Sequence, residues 1–282
     1  MKYDPSLRSL MFPETTPPLF KSSRAYNREM IAVESALLAY FKFEKDEQSR
    51  HTIESALAIV GFDHVEYFTG KVHGGQAIAA WQNTGTDALL AFRGTQPNDI
   101  TDVATDLDIA RSPWPEGGTV HTGFAVSFEE LWDDVREWHA RASGRPTLIA
   151  GHSLGAGLAT LGATRLSSST LVTIGSSRVG DAAFASLFGN VDVHRFVGCC
   201  DVITSLPPEQ FGFVHVGKTR YIDRRGVEIA DPSQEVIHDD RSHARGEYLI
   251  QHAWRIGNVG LRDLADHAPV NYVSAVLGER EA

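Results

Sequence analysis

The chain has 282 residues, 42% of them hydrophobic, enough to bury the core of one large α/β domain or two small ones. Its 26 Lys and Arg against 36 Asp and Glu give a net charge of -10 with no basic cluster, so nothing offers a hold to phosphate backbones or anionic membranes, and no nucleic-acid partner is expected. The opening MKYDPSLRSLMFPETTPPLF lacks the apolar core of a signal peptide, and no stretch approaches about 18 uncharged apolar residues; a cytoplasmic protein is expected, with signal-independent export as the alternative.

Residues 1–25, rich in proline and polar residues, read as an irregular arm able to pack across the domain. From Glu29 to Phe41 the apolar residues recur at helical spacing, and a second helix is expected near Thr52 to Val60. Then HVEYF, QAIAAW and DALLAF are short apolar runs punctuated by Gly, Asn and Thr, which predicts a three-stranded meander at one side of a sheet. After it come a helix around Ala125 to Ala142, strand PTLIA, helix Leu154 to Leu166, strand LVTIG, helix near Ala182 to Phe188 and strand VHRFVG. Strict alternation of strand and helix implies a mostly parallel central sheet covered on both faces. A hairpin-like pair, FVHVGKTRYID with GVEIA, precedes a helical tail from about Arg245. With no repeat or linker, residues 1–282 read as one α/β domain. Cys199 and Cys200 are adjacent, so a disulfide between them would be strained and free thiols are expected.

The chemistry centres on GHSLGAG at residues 151–157. A Gly-x-Ser-x-Gly match is weak by itself, but here PTLIA precedes it and the small-residue helix LGAGLATLGATRL follows. That places Ser153 on a sharp strand-to-helix turn, where Gly151 and Gly155 let the backbone bend and keep neighbours off the hydroxyl. A serine hydroxyl needs a histidine to take its proton, and the histidine needs a carboxylate to fix its tautomer. Asp201 is the best-placed acid, at the C-terminal end of the strand VHRFVG, whereas Asp181 and Asp192 read as cap or surface residues. Of the later histidines, His267 lies in a loop before a terminal helix, from which its ring can reach back to the serine. His215 falls in a strand pattern and His252 in a helical one, so both read as packed or surface residues. His238, Asp239, Asp240 and His243 are metal-ligand types but lack a fixed-geometry motif, and read as a solvated charged loop; no metal or other cofactor is expected. His152 reads as structural. For the developing oxyanion, Leu154 offers its backbone N–H, and Thr95, at the end of ALLAFRGT, offers an N–H and a hydroxyl.

In the order AFRGT, VHTGF, GHSLGAG, TIGSSRVGD, DVITSLPP and DHAPVNYV, the chain resembles the class 3 lipases, the fungal triacylglycerol lipases and their bacterial relatives, over roughly residues 75–277. The resemblance implies an α/β-hydrolase fold with Ser153 as nucleophile, Asp201 as acid, His267 as base, and Thr95 with Leu154 as the oxyanion hole. It also implies a lid after the oxyanion loop, within residues 96–119. There Ile100, Val103, Ala104 and Leu107 fall at helical spacing among four aspartates, and Val103 stands near the place where the family commonly carries a tryptophan. Ser177 stands where a proline is usual.

The expectation is a cofactor-free serine hydrolase that cleaves carboxylic esters, a lipase or carboxylesterase, through an acyl-enzyme, with Ile100, Val103 and Leu107 covering the site and at most transient contact with a lipid interface. The alternatives are a phospholipase acting as an exported bacterial effector, a serine peptidase, and a non-catalytic binding protein on a hydrolase scaffold.

Overall fold

The computed structural model describes residues 2–94, 109–142, 145–166 and 169–279. The N-terminal arm forms a short helix, α1 (Leu7–Met11), and is followed by α2 (Arg28–Leu38) and α3 (Glu47–Ile59). Asn27 and Asp46 start the two longer helices by accepting the N–H of Met30 and of Ser49. The expected meander is β1 (His64–Thr69), β2 (Gln76–Trp81) and β3 (Ala88–Phe92), antiparallel throughout.

A small two-stranded ladder, β4 (Arg111–Pro113) and β5 (Thr119–His121), leads into α4 (Thr122–Arg141). The alternating part follows: β6 (Thr147–His152), α5 (Leu154–Arg165), β7 (Ser169–Ile174), α6 (Ala182–Ala185) and β8 (Asp192–Gly198). Last come β9 (Thr219–Ile222), β10 (Glu228–Ala230), α7 (Gln234–Gln251), α8 (Arg262–Ala265) and α9 (Pro269–Val276).

Eight strands make one sheet in the order β1-β2-β3-β6-β7-β8-β9-β10, parallel from β3 through β9 and closed at each side by antiparallel neighbours. Because successive strand residues point to opposite faces, the apolar runs feed two cores at once. Ile78, Leu89, Leu148, Val172 and Phe196 pack toward α2, α3 and α9, whereas Ala79, Leu90, Phe92, Ile149 and Leu171 pack toward α4 and α5. The fold is thus the α/β-hydrolase arrangement expected from the sequence.

Three expectations change. The tail helix begins at Gln234, well before Arg245, so His238, Asp239, Asp240 and His243 sit on α7 rather than in a solvated loop. Ile237, Asp240, Ala244 and Tyr248 form its buried stripe, and the buried aspartate in that stripe hides the helical period from a hydrophobicity reading. Asp240 is held there by the Tyr221 hydroxyl at 2.9 Å and by Arg224, 2.7 Å away. Second, FVHV is not part of the last hairpin; Val214 makes only an isolated bridge to Gly180, and β9 starts at Thr219. His215 is therefore off the strand, its Nε2 donating to the Thr204 carbonyl, and burial pushes its pKa down to about 3. Third, the downstream part of the 96–119 segment is fixed to the body: Trp114 is buried, and its Nε1 donates to Thr164 Oγ1 at 3.0 Å.

The arm is partly helical, through α1, and bonds to the domain through Tyr3 and Asp4. Glu34 of α2 lies fully buried beside it, one oxygen accepting the Leu19 N–H at 2.6 Å and the other without a hydrogen-bond partner among the described residues. Burial pushes its carboxyl up to about 7. The folded protein therefore holds a proton that the unfolded chain has released once the pH passes the usual carboxylate range. The stability this contributes is complete below about pH 4.5 and is lost as the pH rises through 7, on the order of 3 kcal/mol in all. In Glu34→Gln, urea midpoints at pH 5 and pH 8 should lie closer together than in the parent. An unchanged gap would place the titration elsewhere.

Candidate active site

Parallel register brings the site to one edge of the sheet. Gly151 pairs with Phe92 of β3 and His152 with Ile174 of β7, so β6 ends beside both neighbours. The next residue, Ser153, has φ 58° and ψ −126°, a conformation that non-glycine residues rarely adopt, and α5 starts directly after it. The turn is compressed: a Cβ on Gly151 would lie 2.1 Å from the Gly155 carbonyl oxygen, and one on Gly155 would lie 2.3 Å from that of Phe92. The two glycines thus let strand, turn and helix approach one another, a closer constraint than relief around the hydroxyl.

Asp201 follows the end of β8, its N–H donating to the Gly198 carbonyl at 3.2 Å, and His267 lies in the turn between α8 and α9. The structure brings these two and Ser153 together. His267 Nε2 is 2.9 Å from Ser153 Oγ, and its Nδ1 is 2.9 Å from Asp201 Oδ2. All three side chains are buried. Asp201 also accepts the Tyr272 hydroxyl at 2.5 Å and the Ile203 N–H at 3.0 Å. With Asp201 accepting at Nδ1, the histidine presents its other ring nitrogen to the serine, the tautomer needed to take a proton from Oγ. Burial, and then the adjacent Asp201 charge, hold the Tyr272 phenol well above its ordinary range, so it stays a donor.

A second set of contacts fixes the backbone around this trio. His152, at the end of β6, packs at a tilt against His267 with ring centroids 4.5 Å apart. Its Nε2 lies 2.8 Å from the His267 carbonyl, which can only accept, so Nε2 carries the hydrogen. Nδ1 then accepts the Tyr40 hydroxyl at 2.7 Å. The Tyr40 oxygen in turn accepts the Gly94 N–H. Burial, and then the neighbouring His267, hold the His152 pKa well below the ordinary range, so the ring stays neutral. A continuous chain of bonds therefore joins the end of the FRG strand, the turn at Ser153 and the loop of His267. Arg93 anchors the first of these by donating to the Ala39 and Phe41 carbonyls.

Asp266, next to His267, is a junction. Its Oδ1 accepts the Tyr3 hydroxyl at 2.6 Å, and its Oδ2 accepts the Cys200 N–H at 2.8 Å and Arg262 Nε at 3.1 Å. The arm continues along the same loop: Asp4 and Asn271 exchange two bonds, at 2.9 and 2.8 Å. Gly175, at φ 58°, floors the site, and a Cβ there would lie 2.9 Å from Asp201 Oδ2 and 3.2 Å from both His152 Nε2 and His267 Cε1.

The remaining expectations divide. Leu154 opens α5, so its N–H is one of the first-turn donors with no intrahelical acceptor, at the positive end of the helix. Thr95 and the stripe Ile100, Val103 and Leu107 lie outside the described residues. Asp181 caps α6 and Asp192 is exposed at the start of β8, as expected. His238 and His243 are exposed on α7, and His252 follows the helix end. Cys199 and Cys200 are free and buried. Sequence reasoning missed Tyr3, Tyr40, Gly175 and Tyr272. Only the last two lie within motifs that it used.

The sheet order is that of the α/β-hydrolase fold, with Ser153, His267 and Asp201 joined at its edge. Residues 89–211 match the model of the class 3 lipase family. The chain is similar to lipases of Rhizopus niveus and Rhizopus oryzae, 32% identical over 172 residues, 55% of this chain and 43% of each of those proteins. The chain thus aligns with less than half the length of these relatives. Its fold resembles that of Rhizomucor miehei triacylglyceride lipase, with a TM-score of 0.58 and 22% identity over 83% of this chain and 94% of that one. A mono- and diacylglycerol lipase from Aspergillus oryzae gives a TM-score of 0.58 and 23% identity over 71% and 81%.

Proposed function

We propose that the protein hydrolyses carboxylic esters of lipid type through an acyl-enzyme on Ser153. The observation that carries this reading is the buried, bonded line from Ser153 Oγ through His267 to Asp201. In the first half-reaction Oγ attacks the ester carbonyl carbon while His267 Nε2 takes the hydroxyl proton, and the C–O bond to the alcohol breaks as the histidine returns that proton to the leaving oxygen. In the second, water is deprotonated by the same nitrogen, attacks the acyl carbon and releases the carboxylic acid with Ser153 restored. Asp201 holds the ring and stabilises its positive form without accepting the proton. The Leu154 N–H at the helix start, with the N–H and hydroxyl of Thr95, stabilises the oxyanion. Acylglycerols are the preferred substrate class, in line with the names of the relatives. A fluorophosphonate probe should label Ser153 and abolish turnover of p-nitrophenyl butyrate and tributyrin together; labelling elsewhere, or turnover that survives it, removes the reading.

Thr95→Val keeps the shape and the backbone N–H but deletes one oxyanion donor. The expected result is a loss in kcat on the order of 10²-fold with little change in KM, because the contact strengthens in the transition state. Steady-state kinetics on a dissolved ester check this; an unchanged kcat assigns the hydroxyl no part.

A further inference from the structure

The turn after α7 carries a group of large apolar side chains that the ester chemistry does not use. Ile250 is 76% exposed, Trp254 70% and Ile256 104%, with Leu249, Leu261 and Leu7 also exposed. Leu7 adjoins Ile256 because its N–H donates to the Gly257 carbonyl at 2.8 Å.

We infer that this tip, centred on Trp254 and Ile256, is a docking surface for a zwitterionic lipid surface, separate from the 96–119 segment. The identity of that surface rests on the lipid-ester reading above. Three observations favour lipid as the occupant. First, several polar groups of the tip are already bonded within the protein. Trp254 Nε1 donates to the Ile250 carbonyl at 2.8 Å, Arg255 N–H to His252 O, Asn258 N–H to Arg255 O, and Val259 N–H to Pro5 O. Each donor paired in this way, the Trp254 indole above all, loses little when water leaves, which favours a shallow seat at the lipid boundary.

Second, the charge suits a phosphocholine-type layer. In a chain of net charge -10, the stretch Tyr248 to Arg262 has no acidic residue, and exposed Arg255 lies over the Trp254 ring at 5.5 Å, placed to meet a lipid phosphate. The flanking acids are paired: Glu247 lies 3.5 Å from Arg224, and Asp263 lies 2.6 Å from Arg245. Third, the side chains are an indole beside branched aliphatics, the combination that settles at a lipid–water boundary. The tip is also braced, because the arm bridges Ser6 to Asn258. It sits over the satellite core of Tyr248, Val259, Ala265 and Ala268, whose last two residues flank the His267 loop.

The test measures partition of the full chain onto phosphatidylcholine vesicles by co-sedimentation, in a Ser153→Ala background that leaves the lipid intact. Trp254→Ser combined with Ile256→Ser should lower the partition coefficient at least tenfold, whereas Ile256→Leu should keep it. Replacing part of the phosphatidylcholine by phosphatidylserine should weaken binding of the parent. With Ser153 restored, the double variant should hydrolyse dissolved p-nitrophenyl butyrate at the parent rate, which shows that the fold and site are intact. Equal partition of parent and double variant overturns the inference, as does no partition of the parent. A dimer that the double substitution dissolves, with vesicle binding unchanged, assigns the tip to a second copy instead. If the parent binds vesicles through this tip but hydrolyses no ester, the surface stands and only the ester-hydrolase reading falls.

Discussion

Ser153→Ala and His267→Ala should each lower turnover of a dissolved p-nitrophenyl ester by roughly 10⁴-fold or more, and the double variant should be little worse than either alone. In the proposed mechanism the two groups act as one device, because Oγ is activated by the Nε2 acceptor 2.9 Å away. Asp201→Asn should also be severe, because an amide at the Oδ2 position can donate to Nδ1 and turn the ring to the wrong tautomer. Tyr272→Phe should act more mildly. It removes the bond to a buried carboxylate, a contact worth about 1.5–3 kcal/mol, together with the acceptor of the Gly198 N–H, and leaves the Ile203 N–H in place. Burst kinetics separate acylation from deacylation, and a circular dichroism melt confirms that the fold persists. Retention of turnover in His267→Ala, with loss in His243→Ala or His252→Ala, would hand the base role to α7, against the exposure of His243 on that helix.

Gly175→Ala is the second change of large expected effect, though it touches no reacting atom. The residue has φ 58°, where an L side chain is strained, and the new methyl would lie 2.9 Å from Asp201 Oδ2 and 3.2 Å from His267 Cε1 and His152 Nε2. None of the three can yield freely. Asp201 is held by three donors and His152 by Tyr40 and the His267 carbonyl, so the His267 ring must shift against the serine. A displacement approaching 1 Å costs about 10²-fold in rate, while the strain costs about 1–3 kcal/mol of stability. The signature is therefore a kcat loss far larger than the drop in melting temperature explains. A variant that unfolds, or one with full kcat, contradicts this account.

The central alternation of strand and helix was legible because each strand buries both faces and reads as an unbroken apolar run. That Ser153, Asp201 and His267 come together was legible because a strand-to-helix turn, a strand end and a pre-helical loop each have a local signature. What stayed hidden depends on contacts between distant parts of the chain. Tyr40 meets His152 across 112 positions and Tyr3 meets Asp266 across 263, with nothing local to mark either. Gly175 looks like any glycine that ends a strand until the three side chains around it are in place. The long helix α7 was misjudged over its first half because a buried, fully paired aspartate occupies its apolar stripe. Hydrophobic periodicity detects burial only where burial is apolar.

The seam between the arm and the His267 loop also sets an order in time. The bonds of Asp4 to Asn271 close a span of 267 positions, and the entropy of bringing such ends together is about 5 kcal/mol if the intervening chain is loose. That cost shrinks once the sheet between them has formed, so the seam closes late, after the parallel strands have collapsed. The proposed nucleophile and its acid lie at the ends of central strands, whereas the proposed base stands on a loop that the arm secures. In the proposed mechanism, therefore, the sheet places the serine and its acid, whereas the proton acceptor is placed by a loop that the two distant ends of the chain secure together.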